Sequence, residues 1–375
     1  MAMVEVVEVE SSSQLRRFID YPNQLYRDDP NYVAPLTAER LEFFDFARNP
    51  FYRSARVKLF LARREGQIVG RIATCVNFTH NEFHNEQTGF FGFFDCPHND
   101  EIASLLLKTA MITLKREGME KMRGPMNFST NHECGFLVEG FDSPPVIMMT
   151  YNQPYLPRLA EQFGLKKVMD LLAYRLTDQD PIPPRLLNLT ERIRQRARIT
   201  LRGLNMARFD DEVRLVRDIY ERAWENNWGF VPMGQDEFFY MARQMKQIVD
   251  PALPIIAEHD GQPVGFSLAL PDVNQALIHL SGKLLPLGLF KLLWHTKIRN
   301  KIDGCRILML GILPEFRKRG IDSMLYVNTY QRGTGAGYKW AELSWILENN
   351  DLMRRGVEEL GGKVYKRYRI VEMPV

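Results

Sequence analysis

The chain has 375 residues, of which 25% are charged and 45% hydrophobic, and its 49 Lys and Arg against 46 Asp and Glu give a formal net charge of +3. This composition excludes disordered and collagen-like proteins, and the near balance of charge gives no reason to expect a nucleic-acid partner. At roughly 150 residues per domain, the length predicts two domains.

The N-terminal residues predict a strand over 4–9 and no signal peptide, because no basic segment followed by an apolar core is present. No run approaches the ~18 apolar residues of a membrane-spanning helix. The four cysteines lie far apart in sequence, which argues against a disulfide framework or a zinc site. We therefore expect a cytoplasmic protein without a metal.

A β-hairpin is the first recognisable unit, and it occurs twice. Residues 59–76 predict two strands joined by a turn at Gly66, and residues 254–265 repeat the pattern with Gly261 at the turn. A helix that ends at a glycine before a basic strand also occurs twice, at Gly164 and Gly361. Both pairs have nearly the same spacing, so we predict two copies of one fold.

The next strand of the first copy, over residues 88–95, is followed by acidic residues. Asp95, Asp100 and Glu101 would repel a phosphate at this point. We therefore predict that the first copy does not bind a phosphorylated cofactor.

A polar loop over residues 123–135 is the candidate catalytic segment of the first copy. His132 is expected to titrate near neutrality and to act as a general base, with Glu133 as its orienting partner. Asn131, Tyr151 and Tyr155 are predicted to contact the substrate. The alternative is a structural loop that contains a hydrogen-bonded histidine.

A proline-rich connector over residues 177–184 separates the copies, and a basic amphipathic helix over 186–199 follows it. These features predict a degenerate N-terminal domain over 1–180, a linker with a basic helix over 181–198, and a C-terminal domain over 199–375.

The second copy is expected to begin with a strand over residues 200–204 and to carry aromatic acceptor-binding residues, Trp224 and Trp228. Residues 283–301 then combine apolar bulk with five cations. They could form a helix that lies on an anionic membrane, a core helix with a basic end, or the lining of an acyl channel.

The densest chemical signal follows. An apolar strand over residues 307–313 is stopped by Pro314, and a basic turn, Arg317 to Gly320, leads into a helix that starts at Ile321. Such a turn directs backbone N–H groups and the positive end of a helix dipole at one spot, which is typical of a pyrophosphate site. The alternative is a solvated basic turn. The remaining residues predict a strand over 339–345, a helix cap at Asn350, a helix over 353–360 and a strand over 364–370.

Arg317, Gly320, Asn350 and Gly361 occupy the motif positions of the GNAT superfamily of acyl-CoA-dependent N-acyltransferases, which the sequence resembles over about 254–370 and, less closely, over about 57–176. The resemblance implies an α/β protein of two tandem GNAT-like domains, each a mixed, partly parallel twisted sheet flanked by helices. It also implies that acyl-CoA binds the C-terminal copy alone.

The resemblance further implies site residues in that copy. A backbone N–H near Gly311 or Ile312 would polarise the thioester carbonyl. Val357 stands where the family often has a tyrosine acid. Glu342 and Glu348 are candidate bases, with a surface role and a capping role as the alternatives, and Trp345 is a candidate substrate contact. The expected cofactor-binding residues are Gly311, Ile312, Leu313, Arg317, Lys318, Arg319, Gly320, Ile321, Asp322 and Asn350.

The predicted function is acyl transfer from acyl-CoA to a primary amine. The apolar and basic segment over 283–301 favours a lipid-like acceptor, such as the sphingoid base used by the bacterial ceramide synthases that large tandem GNAT proteins of this kind resemble. The alternatives are a small-molecule N-acetyltransferase, a non-catalytic CoA-binding protein and a tRNA-dependent ligase, and the basic turn argues against the last. The same segment predicts peripheral contact with a membrane.

Overall fold

The computed structural model describes residues 3–196, 198–282 and 302–375. These residues form two compact units that interleave along the chain. The first unit comprises the described residues within Met1–Leu171, Asn274–Ile298 and Lys366–Val375, and the second those within Leu172–Val273 and Arg299–Tyr365. The domain boundaries near residues 180 and 199, which the sequence repeat predicts, stay a prediction.

The first unit is a mixed sheet with helices. Strands β1 to β5 lie side by side in chain order, antiparallel except for the parallel pair β4 and β5. The C-terminal part of β13 pairs antiparallel with β5 and β6. The elements of the first unit are β1 (Glu5–Glu8), α1 (Ser12–Leu25), α2 (Thr37–Phe43), β2 (Ala55–Arg64), β3 (Gln67–Asn77), α3 (Phe78–His84), β4 (Thr88–Asp95), α4 (Asp100–Arg116), β5 (Lys121–Gly124), β6 (Phe136–Glu139), α5 (Tyr155–Phe163), the first part of β7 (Lys166–Thr177), the short helix α9 (Asn274–Leu277) and the last part of β13 (Lys363–Pro374).

Apolar burial explains the centre of this unit. Every residue of β4 is buried, as expected for an almost uninterrupted apolar strand covered on both faces. The packing helix α4 directs Ile102, Leu106 and Ala110 at the sheet, at helical spacing. The helix and the sheet pack together because each buries the apolar surface that the other would otherwise expose to water.

The second unit repeats this arrangement. Its sheet has the order β8, β9, β10, β11, β12, in which β11 and β12 are parallel and the other neighbours antiparallel. Its elements are the rest of β7, α6 (Pro184–Arg196), β8 (Ile199–Gly203), α7 (Phe209–Trp224), α8 (Gln235–Met245), β9 (Ile255–His259), β10 (Gln262–Pro271), β11 (Gly304–Ile312), α10 (Ile321–Gly335), β12 (Trp340–Leu347), α11 (Asp351–Glu359) and the start of β13.

The two predicted hairpins confirm the repeat at the level of the backbone. The turn between β2 and β3 has φ of 51° at Glu65 and 76° at Gly66, and that between β9 and β10 has 48° at Asp260 and 79° at Gly261. Two successive positive φ values are typical of the tight turns that match the twist of paired strands. The predicted α/β class with mixed, partly parallel sheets is confirmed.

Residues 283–301 lie outside the described residues, and so does the membrane contact predicted for them. Among the residues that the structure describes, every helix is too short or too polar to cross a membrane.

Candidate functional site

An opening between β11 and β12 is the main feature of the second unit. The two parallel strands pair from Gly304 opposite Trp340 to Ile307 opposite Leu343. Beyond that pair β11 continues to Ile312 and β12 to Leu347. Beyond Ile307, the backbone N–H and C=O groups of β11 on the side of β12 no longer pair with that strand. An extended ligand arm can therefore enter between the two strands.

A β-bulge in β11 lies at the closed end of this opening. Leu268 of β10 faces Met309 and the next residue, Ala269, faces Ile307, so Leu308 has no partner on β10. An extra residue reverses the alternation of side chains along a strand. As a result Arg306 and Gly311, which would otherwise lie on opposite faces, share one face of the sheet. Glu342, opposite Arg306 in the register, lies on this face too.

A buried polar network occupies that face where the strands separate. Glu342 is 0% exposed and Arg306 is 1% exposed. The hydroxyl groups of Ser344 and Tyr365 both donate to the Glu342 carboxylate. Arg306 Nε donates to Ser344 Oγ at 3.0 Å and lies 3.9 Å from Glu342 Oε1. The network places a carboxylate at the base of the opening, and the alternative that Glu342 is a surface glutamate is wrong.

One aromatic ring stacks on the network, and another covers β11 farther along the strand. The guanidinium carbon of Arg306 lies 5.0 Å from the centre of the Trp345 ring. On the same face as the network, Trp224 at the end of α7 covers Gly311, where a Cβ would lie only 2.2 Å from Trp224 Cζ3. Gly311 is thus the residue that lets the indole ring reach the strand. Trp228 is half-buried in the loop after α7.

The basic turn leads from β11 into α10. Lys318 and Gly320 have φ values of 59° and 79°, and no side chain caps the N-terminus of α10. Lys318 and Arg319 are exposed. The free amide groups, the helix dipole and the nearby cations fit a diphosphate. The exposed carboxylate of Asp322 is screened by water and opposes this less than a buried charge would.

Other predicted cofactor-binding residues have structural partners in this turn. Arg317 donates to the carbonyl oxygens of Ala223 at 2.5 Å and Ile312 at 3.4 Å, so its side chain holds the turn against α7. The side chains of Ile312, Leu313 and Ile321 belong to the apolar core, which leaves their backbone groups for a ligand.

The residues after β12 are held by local hydrogen bonds, and Asn350 caps the next helix. Asn350 accepts from the Met353 N–H at 3.2 Å at the start of α11. The carbonyl oxygen of Glu348 accepts from Arg354 Nη1 at 2.9 Å. Val357, at the position where the family often has a tyrosine, is fully buried among apolar residues.

The corresponding helix of the first unit differs from α10. Its N-cap, Asn99, accepts from the Ile102 N–H at 3.0 Å, and Asp100 and Glu101 occupy its first turn. A capped N-terminus that already carries two acids has little to offer a phosphate. This agrees with the expectation that the first copy does not hold the cofactor.

The loop around His132 is tightly bonded within the first unit. His132 Nδ1 lies 2.9 Å from Ser129 Oγ. Glu133 accepts instead from Arg40 and, at 2.9 Å, from Asn127 Nδ2. The expectation that Glu133 orients His132 is therefore wrong, because the carboxylate is directed at a guanidinium.

The expectation that His132 titrates near neutrality is wrong as well. Burial, aided by the positive charge of Arg40, lowers the pKa of His132 to about 4. The imidazole is neutral at pH 7 and is a weaker base than an exposed histidine.

The other predicted substrate contacts of this unit have partners there. Tyr151 donates to Asp29 Oδ2 at 2.5 Å, and Tyr155 donates to the carbonyl oxygen of Cys96 at 2.9 Å. The backbone N–H of Asn131 donates to Ser129 Oγ at 3.2 Å.

Sequence reasoning missed Arg306, Ser344 and Tyr365. One signal could have found the first two: Arg306 lies near the start of an otherwise apolar strand, and Glu342 and Ser344 are two apart on the next, which places polar side chains on one face of two neighbouring strands.

No family model matches the chain. The chain is 35% identical over 370 residues to protein YghO of Escherichia coli (strain K12), covering 97% of this chain and 94% of that protein. It is 36% identical over 380 residues to the bacterial ceramide synthase of Caulobacter vibrioides (strain NA1000 / CB15N), covering 99% and 97%. Among solved structures, a tandem GNAT protein from the clavulanic acid biosynthesis pathway superposes with a TM-score of 0.59 and 12% identity, covering 99% and 98%.

Proposed function

The chain is an acyltransferase of the tandem GNAT family that includes the ceramide synthase of Caulobacter vibrioides, and we propose that it transfers an acyl group from acyl-CoA to the primary amine of a lipid-like acceptor. The observation that carries the proposal is the opening between β11 and β12, which has a helix N-terminus without a side-chain cap beside it and a buried carboxylate at its base. An acyl-CoA molecule is a long arm with a diphosphate at one end and a thioester at the other.

The basic turn and β11 would hold the donor. The amide groups at the start of α10, with Lys318 and Arg319, bind the diphosphate. Backbone N–H groups of β11 between the bulge at Leu308 and Ile312 donate to the thioester carbonyl oxygen. That oxygen becomes more negative as the amine attacks, so a fixed donor stabilises the transition state more than the ground state.

Glu342 would accept the proton of the attacking amine. The amine nitrogen forms a bond to the carbonyl carbon, its excess proton passes to the carboxylate, and the carbon–sulfur bond breaks to release the CoA thiolate. A thiol with a pKa of about 8.5 leaves without strong acid assistance, which makes the buried Val357 compatible with turnover. The thiolate takes up the proton from Glu342 or from water, and the products are an amide and CoA.

Two observations support a lipid-like acceptor. The Caulobacter relative is a ceramide synthase, and ceramide is an N-acylated lipid amine. In this chain Trp224 covers Gly311, and the rings of Tyr220 and Phe266 lie 5.0 Å and 5.8 Å from the Trp224 ring. The exposed part of an indole in this aromatic setting would bind hydrocarbon by removing it from water.

The test is a free-thiol release assay with purified protein, acetyl-CoA or palmitoyl-CoA as donor, and sphinganine, dodecylamine or spermidine as acceptor. We expect palmitoyl-CoA with one of the two lipid amines to give the highest kcat/KM, with the N-acyl product identified by mass spectrometry. Preference for acetyl-CoA and spermidine would establish the small-molecule N-acetyltransferase instead. Binding of CoA without thiol release on any amine would contradict the proposal.

A further inference from the structure

An open groove of about 400 Å³ lies beside the basic turn of the second unit. Its lining comes from the end of α6, the start of β8 and the turn between β9 and β10, namely Arg194, Arg198, Ile199, Thr200, Asp260 and Gly261. Residues 191–198 contain four arginines and one glutamate. The groove is large enough for a small ligand, and the chain around it carries an excess of positive charge.

The packing of α6 places this groove next to the start of α10. Helix α6 packs along α10, and Leu186, near the start of α6, shares an apolar cluster with Tyr326. Near the end of α6, Ile193 lies against Gly320, since a Cβ at that glycine would be 2.2 Å from Ile193 Cδ1. Arg194 follows Ile193 directly. The cationic end of α6 is therefore beside the amide groups of the basic turn.

A second set of contacts joins the groove to the same turn. The Phe316 ring, between β11 and α10, is 5.2 Å from the His259 ring, and the guanidinium carbon of Arg319 is 5.0 Å from the centre of the Phe316 ring. His259 ends β9 and is followed by Asp260 of the groove. The groove and the basic turn are therefore in contact on two sides, and a ligand bound at one can extend to the other.

The two arginines of the groove are exposed, and their ion pairs are of the weak, solvated kind. The Arg194 side chain is 66% exposed and donates to Glu191 at 3.0 and 3.1 Å. The Arg198 side chain is 78% exposed and lies 3.8 Å from Asp260. Ion pairs between exposed groups contribute little free energy, whereas a phosphate group with two charges binds guanidinium strongly. Such a phosphate can displace both carboxylates.

Resting on the proposed function, we infer that the groove binds the 3′-phosphoadenosine end of the acyl-CoA donor, with Arg194 and Arg198 on the 3′-phosphate. In CoA this phosphate and the diphosphate are attached to one ribose, so the two anionic groups must occupy neighbouring sites. The fork of N–H groups on a guanidinium matches the oxygens of a phosphate. The protein thereby selects CoA thioesters over donors that carry the pantetheine arm without an adenosine 3′-phosphate.

The experiment measures the Kd for CoA and for 3′-dephospho-CoA by calorimetry. We expect the wild type to bind CoA about 10- to 30-fold more tightly, as charge-assisted hydrogen bonds to one group provide. In the R194Q/R198Q double variant the two Kd values should lie within about threefold of each other. With palmitoyl-CoA the double variant should raise KM and leave kcat unchanged, because contacts to the remote phosphate are the same in the ground state and the transition state.

R208Q is the matched control, because Arg208 is exposed and pairs with Asp211 at 3.0 Å, three residues away, beyond the far end of β8. Its preference for CoA should equal that of the wild type. A wild type that releases thiol but binds CoA and 3′-dephospho-CoA equally overturns the inference and leaves the acyltransferase in place.

A double variant that keeps the wild-type preference overturns the inference as well, and assigns the arginines to stabilising the C-terminal end of the α6 dipole. Circular dichroism checks that the double variant is folded, and the comparison of the two ligands in the wild type tests the inference without any variant. Absence of both CoA binding and thiol release in the wild type overturns the inference and the proposed function together.

Discussion

A buried glutamate of the second unit has its charge compensated by its neighbours. Glu342 accepts hydrogen bonds from Ser344 and Tyr365 and lies near Arg306. These partners hold the carboxylate in one position at the base of the opening. We assign proton transfer to this residue.

The residue-scale prediction concerns Glu342. E342Q keeps the shape of the side chain and one oxygen acceptor, for either Ser344 or Tyr365, which donate to different oxygens of Glu342, but an amide cannot take up a proton from the amine. We expect kcat to fall about 10²- to 10⁴-fold with unchanged affinity for CoA, measured by thiol release and by calorimetry. E359Q removes an exposed glutamate of α11 and should have wild-type activity. An E342Q variant with more than half of the wild-type kcat would show that the network is structural.

At the scale of elements, the start of α10 and the start of α4 show how similar strand-to-helix turns acquire different chemistry. Asn99 caps α4 with its side chain, and acidic residues follow. Gly320 leaves α10 without a side-chain cap, and cations precede it. An anion therefore has free donors and favourable charge at one helix and neither at the other.

The prediction for this element is that G320A weakens CoA binding. Gly320 has φ of 79°, which strains an alanine, and a Cβ there would lie 2.2 Å from Cδ1 of Ile193 on α6, so either this side chain or the turn must move. We expect the Kd for CoA, measured by calorimetry, to rise at least about tenfold.

The control for G320A is G337A. Gly337 also has a positive φ, 96°, but a Cβ there meets no atom within 4 Å. The G337A variant should have a free energy of unfolding lower by about 1 kcal/mol and an unchanged Kd for CoA. Equal Kd values for G320A and the wild type would mean that the amide groups of this turn do not hold the diphosphate.

For the whole molecule, buried histidines make stability depend on pH. Burial is the main cause that lowers the pKa of His80 to about 4, assisted by His84 and Arg123, and His132 is lowered similarly. The unfolded chain, with histidine pKa values of about 6.5, then takes up protons first as the pH decreases. The stability that these neutral histidines contribute is fully present above pH 6.5 and is lost as the pH falls toward 4.

The corresponding variant is H80Q, studied by urea denaturation at pH 7.5 and pH 4.5. Between these pH values the free energy of unfolding should decrease by on the order of 1–3 kcal/mol more in the wild type than in H80Q, because only the wild type has a buried histidine that unfolding allows to take up a proton. H98Q replaces an exposed histidine and should lose as much as the wild type. Parallel losses in all three proteins would show that burial of His80 does not affect proton uptake.

Local patterns determined much of this protein. The period-2 strands around Gly66 and Gly261 specify two hairpins, and the change from an apolar strand to Pro314, basic residues and Gly320 specifies a strand, a turn and a helix without a side-chain cap. Such signals depend on residues close in sequence, whose backbone preferences act wherever the chain is placed. The same locality makes the two copies, the acyltransferase family and the basic turn recognisable in the amino-acid sequence alone.

Only the tertiary structure decided what the individual side chains meet. A single-residue bulge at Leu308 sets which residues of β11 share a face with Glu342, and a slip of one residue reverses that outcome. Glu133 bonds Arg40, far away in sequence, and not His132 beside it. Burial, which lowers the pKa of His132, is a property of everything packed around a group. The spacing of residues in the sequence does not give their burial. The site is therefore defined only by the packing of strands and helices that are distant in sequence.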